Sequence, residues 1–140
     1  MPYEPKERRK LKIIMDTNAF FVPLQFRIRI PEELEQLLER KIEMLLLSHV
    51  KRELITLTTK RSPSTQKNAE YALKFAEKCK YIEIETTLSQ PTDDMIVNAA
   101  KEWKAVVFTN DRQLRKRLRD ISVPVIYVRQ KSHLAVDGMI

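Results

Sequence analysis

Short apolar runs alternate with helical patterns along the whole chain, and this alternation limits its fold more than any other feature. Strand-like runs are expected at residues 11–15, 41–47, 81–85, 105–108 and 123–128. Helical spacing of apolar residues is found at 31–38, 48–57, 67–79, 94–103 and 111–118. Strands that alternate with helices predict a central, mostly parallel sheet covered on both faces. We therefore expect one three-layer α/β/α domain over residues 1–140.

The second constraint is the near absence of glycine, since Gly138 is the only one in 140 residues. Glycine-rich phosphate loops of the P-loop and dinucleotide-binding kinds need backbone conformations that glycine adopts far more readily than other residues. The sequence therefore nearly excludes such loops. Any phosphate chemistry in this chain is expected to depend on side chains and metals.

The net charge, the apolar runs and the cysteine content indicate which kinds of partner and cellular location to expect. The net charge is +7 and the sequence pI is about 9.6, which favours a polyanion such as nucleic acid or an acidic membrane surface. No apolar run is long enough to span a bilayer, and the N-terminal residues do not resemble a signal peptide. Cys79 is the only cysteine, so no internal disulfide is expected. These features predict a cytoplasmic protein without a membrane partner.

Two of the apolar runs end in nearly the same polar chemistry. The first run leads into Asp16-Thr17-Asn18, and the run at 105–108 leads into Thr109-Asn110-Asp111. Ligands of parallel sheets bind beyond the carboxyl ends of the strands. If these two strands are neighbours in the sheet, Asp16 and Asp111 lie close together in one crevice.

Two further acids are expected to reach the same crevice. Asp94 opens a helix whose apolar face packs on the sheet, and Glu53 follows the strand that ends near Ser48 by little more than one turn. Each of the four acids has an ordinary alternative. An aspartate after a strand is often only a turn or helix cap, Asp93 or Asp94 can cap the helix that they open, and a lone helical glutamate is usually solvated. Ser48 can cap the helix that carries Glu53. The joint pattern of four acids carries the prediction.

Several carboxylates in one crevice repel each other and raise each other's pKa unless a cation neutralises them. Oxygen ligands favour Mg²⁺ or Mn²⁺, and such an ion activates water and stabilises charge during displacement at phosphorus. Asp16, Asp94 and Asp111 are the expected ligands, with Glu53 as a ligand or as the positioner of water. Polar neighbours are expected to orient this set: Thr17, Asn18, Asp93, Thr109 and Asn110.

These residues resemble the PIN domains, small nucleases related in fold to flap endonucleases. The matching segments, in order, are 13–18, 48–54, 92–100 and 106–111. Residues 16–26 and 109–128 are similar to the PIN factors that process small-subunit ribosomal RNA and to their archaeal relatives. Two positions depart from that subgroup, Ala19 where a larger apolar residue is usual and Leu24 where glycine is usual.

The resemblance implies a PIN-like fold and Mg²⁺- or Mn²⁺-dependent cleavage of single-stranded RNA by Asp16, Glu53, Asp94 and Asp111, in ribosomal or other RNA processing. Toxin ribonucleases called VapC share the domain, so a toxin with an antitoxin partner stays open. A non-catalytic RNA-binding or ribosome-assembly subunit also stays open, and a homodimer is an analogy only.

Five cations are expected to contact the phosphodiester backbone of the RNA. They are Arg27, Arg29, Arg112, Arg115 and Lys116. The alternative for the last three is a solvated face of a basic helix. Basic residues also cluster at 8–12, and His49 is expected to have a structural role.

Overall fold

The computed structural model describes residues 9–85 and 90–140, and in that part of the chain a six-stranded sheet forms the centre. The strands are β1 (Leu11–Met15), β2 (Ile42–Leu47), β3 (Lys80–Ile82), β4 (Val106–Phe108), β5 (Val125–Arg129) and β6 (His133–Asp137). Their spatial order is β3-β2-β1-β4-β5-β6, and every pairing is parallel except that of β5 with β6. The expected mostly parallel sheet is confirmed. Arg8, from the N-terminal basic cluster, lies outside the described residues.

Helices connect the parallel strands, as the alternation predicts. A 3-10 segment, Thr17–Phe21, follows β1. The α-helices are α1 (Val22–Phe26), α2 (Ile30–Leu38), α3 (Ser48–Leu57), α4 (Pro63–Ala76), α5 (Thr92–Trp103) and α6 (Arg112–Asp120). No helix in the described ranges is long and apolar enough to cross a bilayer.

Burial along β1 shows that the sheet is covered on both faces. Successive residues of a strand point to opposite faces, and both Ile13 and Ile14 are fully buried. The strand therefore runs through the centre of an α/β/α arrangement, with its side chains in one continuous apolar core. This arrangement confirms the expected fold class.

The parallel register of β1 and β4 sets the position of the polar residues that follow them. Met15 lies opposite Phe108, and the Asp16 amide donates to the Phe108 carbonyl at 3.0 Å. The residues after both strands therefore emerge side by side at the carboxyl edge of the sheet. β1 and β4 are therefore neighbours in the sheet, which was the condition for expecting Asp16 and Asp111 in one crevice.

Two helix starts differ from the sequence expectation. Helix α4 begins at Pro63, before the expected start at residue 67, because Ser62 accepts from the Thr65 amide and Pro63 occupies the first turn. Ser48 does not cap α3, because it is the first residue of that helix. Its hydroxyl instead accepts from the Ile84 amide at 3.0 Å and so ties the end of β2 to the segment after β3.

The strand β6 was not expected from the sequence. It pairs antiparallel with β5 through a tight turn in which Gln130 and Lys131 both have positive φ. Asp137 at its end forms ion pairs with Arg115 at 2.8 Å and Arg119 at 3.2 Å. These pairs fasten the last strand to α6.

Candidate active site at the carboxyl edge of the sheet

A bridge of side chains joins the ends of β1 and β4. The Thr109 hydroxyl donates to Asp16 Oδ2 at 2.6 Å, and Asn18 Nδ2 donates to the same oxygen at 3.0 Å. Asn18 Oδ1 accepts from the Asn110 amide at 3.0 Å, which ties the two loops together a second time. Because Thr109 is fully buried, these bonds hold the Asp16 carboxylate in one orientation.

The same bridge extends to β5. Asn110 Oδ1 accepts from the Val128 amide at 2.9 Å, so its side chain continues the hydrogen bonding of the sheet past the end of β4. The Asp111 amide donates to the Thr109 hydroxyl at 3.1 Å. Thr109 and Asn110 together therefore fix the backbone at Asp111.

Glu53 reaches this edge from α3. Its Oε2 accepts from the Thr17 hydroxyl at 2.6 Å, and the Thr17 amide donates to Asp16 Oδ1 at 2.8 Å. This link exists because α3 begins directly after β2, the neighbour of β1 in the sheet. Thr17 therefore sits between the two carboxylates and contacts both.

Asp93 and Asp94 have different surroundings although they are adjacent in α5. Asp94 Oδ1 pairs with Arg117 at 2.8 Å. Burial and then the charges of Asp111 and Asp94 raise the pKa of Asp93, while Arg117 lowers it in part. Neither residue caps the helix, whose N-cap is Pro91. The structure thus brings Asp93 to the group of acids and places Asp94, the expected ligand, in an ion pair.

Electrostatics at Asp16 show that the acids act on each other. Burial raises the pKa of Asp16, hydrogen bonds from Thr109 and Thr17 lower it, and the charges of Asp93 and Glu53 raise it again. The net pKa is above the ordinary value. We call the set Asp16, Glu53, Asp93 and Asp111 the acidic edge.

Asp111 has a structural role in addition to its place in the acidic edge. Its Oδ1 accepts from the amides of Gln113 and Leu114 at 2.8 and 3.1 Å, so it is the N-cap of α6. The ordinary alternative for an aspartate after a strand is therefore present here. Its second oxygen has no hydrogen-bond partner among the described residues, which leaves it free for a ligand.

The donor chemistry of the acidic edge fits a hard divalent cation. Glu53 Oε1, Asp111 Oδ2 and both oxygens of Asp93 accept no hydrogen bond from residues 9–85 and 90–140, and repulsion within the set is relieved by positive charge. Within those ranges no three His, Cys, Asp or Glu side chains lie close enough together to hold a metal ion between them. Mg²⁺ does not require three such side chains, because it commonly binds one or two carboxylates and completes its shell with water and phosphate.

The cations expected to contact RNA fall into two groups. Arg115 is committed to the fold, with its guanidinium 3.7 Å from the centre of the Tyr127 ring and ion-paired to Asp137. Arg112 and Lys116 are exposed on α6 and form no ion pair with a described residue. The other two, Arg27 and Arg29, are exposed at the ends of the connection from α1 to α2.

His49 lies in the first turn of α3 and is buried, with 3% of its surface exposed. Neither ring nitrogen has a hydrogen-bond partner among the residues that the structure describes. Burial and, second, the charge of Arg52 lower its pKa to about 4. The side chain is therefore neutral at physiological pH, which fits the expected structural role.

Comparisons with known proteins match nearly the whole chain. The family model described as "PIN like domain" matches residues 13–131. Ribonuclease VapC4 of Methanocaldococcus jannaschii is 32% identical over 130 residues, which is 92% of this chain and 98% of the relative. Ribonuclease VapC9 of Archaeoglobus fulgidus is 27% identical over 93 residues, or 66% of each chain.

Solved structures agree with the family match. The PIN domain endonuclease Utp24 superimposes with a TM-score of 0.75 and 26% identity, and 92% of each chain is covered. A domain of a functionally unknown protein from Methanocaldococcus jannaschii gives a TM-score of 0.62 at 17% identity, covering 93% of this chain and 96% of the other. The second likeness concerns the fold alone.

Proposed function

The chain belongs to the PIN-like domain family, and from this premise we propose that it is a divalent-metal-dependent endoribonuclease that cleaves single-stranded RNA in ribosomal or other RNA processing. The observation that carries the proposal is the acidic edge. Four acids from four separate parts of the sequence come near one another where the strands end, and burial together with the charges of neighbouring acids raises the pKa of Asp16 and Asp93. Acids with raised pKa values are typical of functional sites, and capping of an α-helix explains the position of only one of these four, Asp111.

We propose that one or two carboxylates from the group Asp16, Asp93 and Asp111 hold the metal at a time, with water and phosphate completing its shell, and that Glu53 positions the attacking water. Bound Mg²⁺ or Mn²⁺ would supply charge neutralisation for the phosphodiester and a lowered pKa for water. Thr109 and Asn18 hold the Asp16 carboxylate, and Thr17 holds that of Glu53. Asp94 is left out of the ligand set because Arg117 already neutralises it.

RNA as the substrate is supported by charge and by the relatives. Both curated relatives are named ribonucleases, and the net charge of this chain is +7. Arg112 begins α6 directly after Asp111 and is exposed, so its side chain is available to backbone phosphates that approach the proposed metal ligands.

A second candidate is a toxin ribonuclease with an antitoxin partner, which the VapC names of the two curated relatives favour. A toxin would arrest growth when expressed alone, and co-expression of the product of a short neighbouring reading frame would relieve the arrest. A processing enzyme would instead leave a precursor RNA uncut when it is depleted. Either result decides between the two.

The test is cleavage of an end-labelled single-stranded RNA with Mn²⁺. We expect the parent chain to cut, the Asp16→Asn variant to lose at least about 10³-fold in rate, and the Asp120→Asn variant, which alters an exposed acid at the end of α6, to cut normally. Equal cutting by Asp16→Asn and the parent would overturn the mechanism.

A second measurement separates an inactive fold from a wrong site. Mn²⁺ at about 100 times its Kd should stabilise the parent by about 2.7 kcal/mol, seen as a rise in Tm, and should not stabilise Asp16→Asn. Stabilisation and RNA binding without cleavage would indicate the non-catalytic RNA-binding or assembly subunit. No stabilisation of the parent would contradict a metal site at the acidic edge.

A further inference from the structure

An open cleft of about 650 Å³ lies at the opposite end of the sheet from the acidic edge. It is formed by the amino ends of β1 and β4, the last turn of α5, the connection from α6 to β5 and the residues after β6. Its volume is in the range of sites that hold small ligands or short segments of larger ones. Nothing in the reaction proposed above uses this cleft.

The charge of the cleft is unbalanced. Among the described residues that line it, six are Arg or Lys and none is Asp or Glu, whereas a lining of this size at the chain's average composition would include about three cations and about two acids. We call this surface the basic cleft, after its cations: Arg9, Lys10, Lys12, Arg40, Lys101 and Lys104.

The four lysines of the basic cleft are available to a ligand. Each is exposed, and none forms an ion pair with a residue in the described ranges. Ammonium groups gathered with no Asp or Glu among the described lining residues repel each other, and an anion relieves that repulsion. A chain of phosphates offers several negative charges, which suits four separate lysines better than a single small anion does.

Apolar side chains also line the basic cleft, and one of them is aromatic. Trp103, at the end of α5, is half-buried, packs against the core and lines both this cleft and a smaller neighbouring pocket. An aromatic side chain beside several cations is the combination that single-stranded nucleic acids bind, with phosphates on the cations and a base on the ring. A double helix keeps its bases stacked and would not offer one to Trp103.

We propose that the basic cleft is a second binding site for single-stranded RNA, in which lysine side chains contact backbone phosphates and one base lies against Trp103. Along β1, Lys12 and Asp16 are separated by about 13 Å, so the cleft is distinct from the place of cleavage. The proposal extends the nuclease function to substrate anchoring. Because it concerns binding, it can be tested whether or not the chain cuts RNA.

Trp103 makes a specific test available, because it is the only tryptophan in the chain. Its fluorescence is followed while a single-stranded oligoribonucleotide is added in EDTA, which prevents metal-dependent cleavage. We expect a saturable change that weakens as salt is raised. The test variant is Lys101→Gln with Lys104→Gln, and the matched control is Lys60→Gln with Lys67→Gln, which removes the same charge from exposed positions outside the cleft.

The test variant loses two phosphate contacts, so its plot of log affinity against log salt should be less steep by about 1.4. This corresponds to roughly a 20-fold loss of affinity at 0.1 M salt. The control should bind like the parent. The Asp16→Asn variant should also show the full fluorescence change, since it leaves the basic cleft intact. That result would show that the fluorescence change comes from RNA bound in the basic cleft and not from RNA bound at the acidic edge.

Any of four outcomes would overturn the proposal. RNA that leaves the fluorescence unchanged, or that binds the test variant and the control alike, would exclude the cleft as an RNA site. A lower Tm of the test variant without lost affinity would show that the lysines only balance the carboxyl end of α5. Tighter binding by an acidic peptide than by RNA would assign the cleft to a protein partner.

Discussion

The two ends of the sheet are built in contrasting ways. At the acidic edge, the carboxylates of Asp16 and Glu53 are partly buried and are held by hydrogen bonds from Thr17, Asn18 and Thr109. In the basic cleft, the lysines are exposed and are not fixed by ion pairs within the described residues. Hydrogen bonds thus fix carboxylates of the acidic edge in place, whereas the lysines of the basic cleft are not fixed in this way.

This contrast matches two physical requirements of acting on a long anionic chain. Chemistry at one phosphorus atom needs groups held to within a fraction of an ångström. Anchoring the rest of the backbone needs only a high density of positive charge, which flexible side chains supply. A parallel sheet keeps the two apart, because its carboxyl ends and amino ends lie on opposite sides of the molecule.

The largest expected effect tests whether position matters at the acidic edge. Asp93→Asn should lower cleavage by about 10³-fold, because it removes a proposed ligand, whereas Asp94→Asn should cut nearly normally and lose less than about 1 kcal/mol of stability with its exposed ion pair. Rates under single-turnover conditions measure both. If the two variants exchanged these results, the ligand would be Asp94.

The next effect concerns pH, to which the two ends should respond differently. His49 lies just past β2, at the carboxyl end of the sheet, and the basic cleft contains no histidine among its described residues. The pKa of His49 is about 4 in the folded chain and about 6.5 when unfolded, so the unfolded state binds the extra proton between these values. Stability should be complete above about pH 6.5 and should fall by about 3 kcal/mol towards pH 4.

Urea unfolding at several pH values measures this loss, and the chain contains its own control. His49→Phe should flatten the pH dependence in this window, whereas His133→Gln, at an exposed histidine, should leave it as in the parent. Carboxylates contribute equally to all three proteins, so the difference between the variants isolates His49. An unchanged pH dependence in His49→Phe would contradict a neutral, buried imidazole.

The smallest expected effect concerns the side-chain bridge between the ends of β1 and β4, not the acids themselves. Thr109→Val keeps the shape of a buried side chain but removes the hydroxyl that contacts Asp16 and Asp111, so cleavage should fall by about 10- to 100-fold with little change in RNA affinity. Thr59→Val, at an exposed threonine, should be neutral. A loss of affinity equal to the loss of rate would mean that Thr109 acts on binding.

The sequence predicted the parts of the fold that depend on local apolar runs. β1, β2 and β4 are buried and end abruptly at polar residues, so their limits were visible. β6 was missed because His133–Asp137 is short, half-exposed and preceded by a turn without glycine. The alternation of Leu134 and Val136 was the available signal.

The sequence could predict that acids follow neighbouring strands, but it could not decide which of Asp93 and Asp94 pairs with Arg117. Adjacent residues of a helix point about 100° apart, so the choice depends on the rotation of α5 about its axis, which packing decides. The basic cleft was missed for a related reason. Lys12, Lys101 and Arg40 are distant in sequence, and only the way the chain folds back brings them to one surface.

The side-chain bridge between β1 and β4 also limits how this protein can evolve. Asn18, Thr109 and Asp16 each satisfy hydrogen-bonding groups of the others, so the effect of replacing one depends on the identity of the rest. Strong epistasis is expected among them: single replacements are harmful, and only coordinated changes restore a satisfied network. Related sequences should therefore vary at these three positions together or not at all.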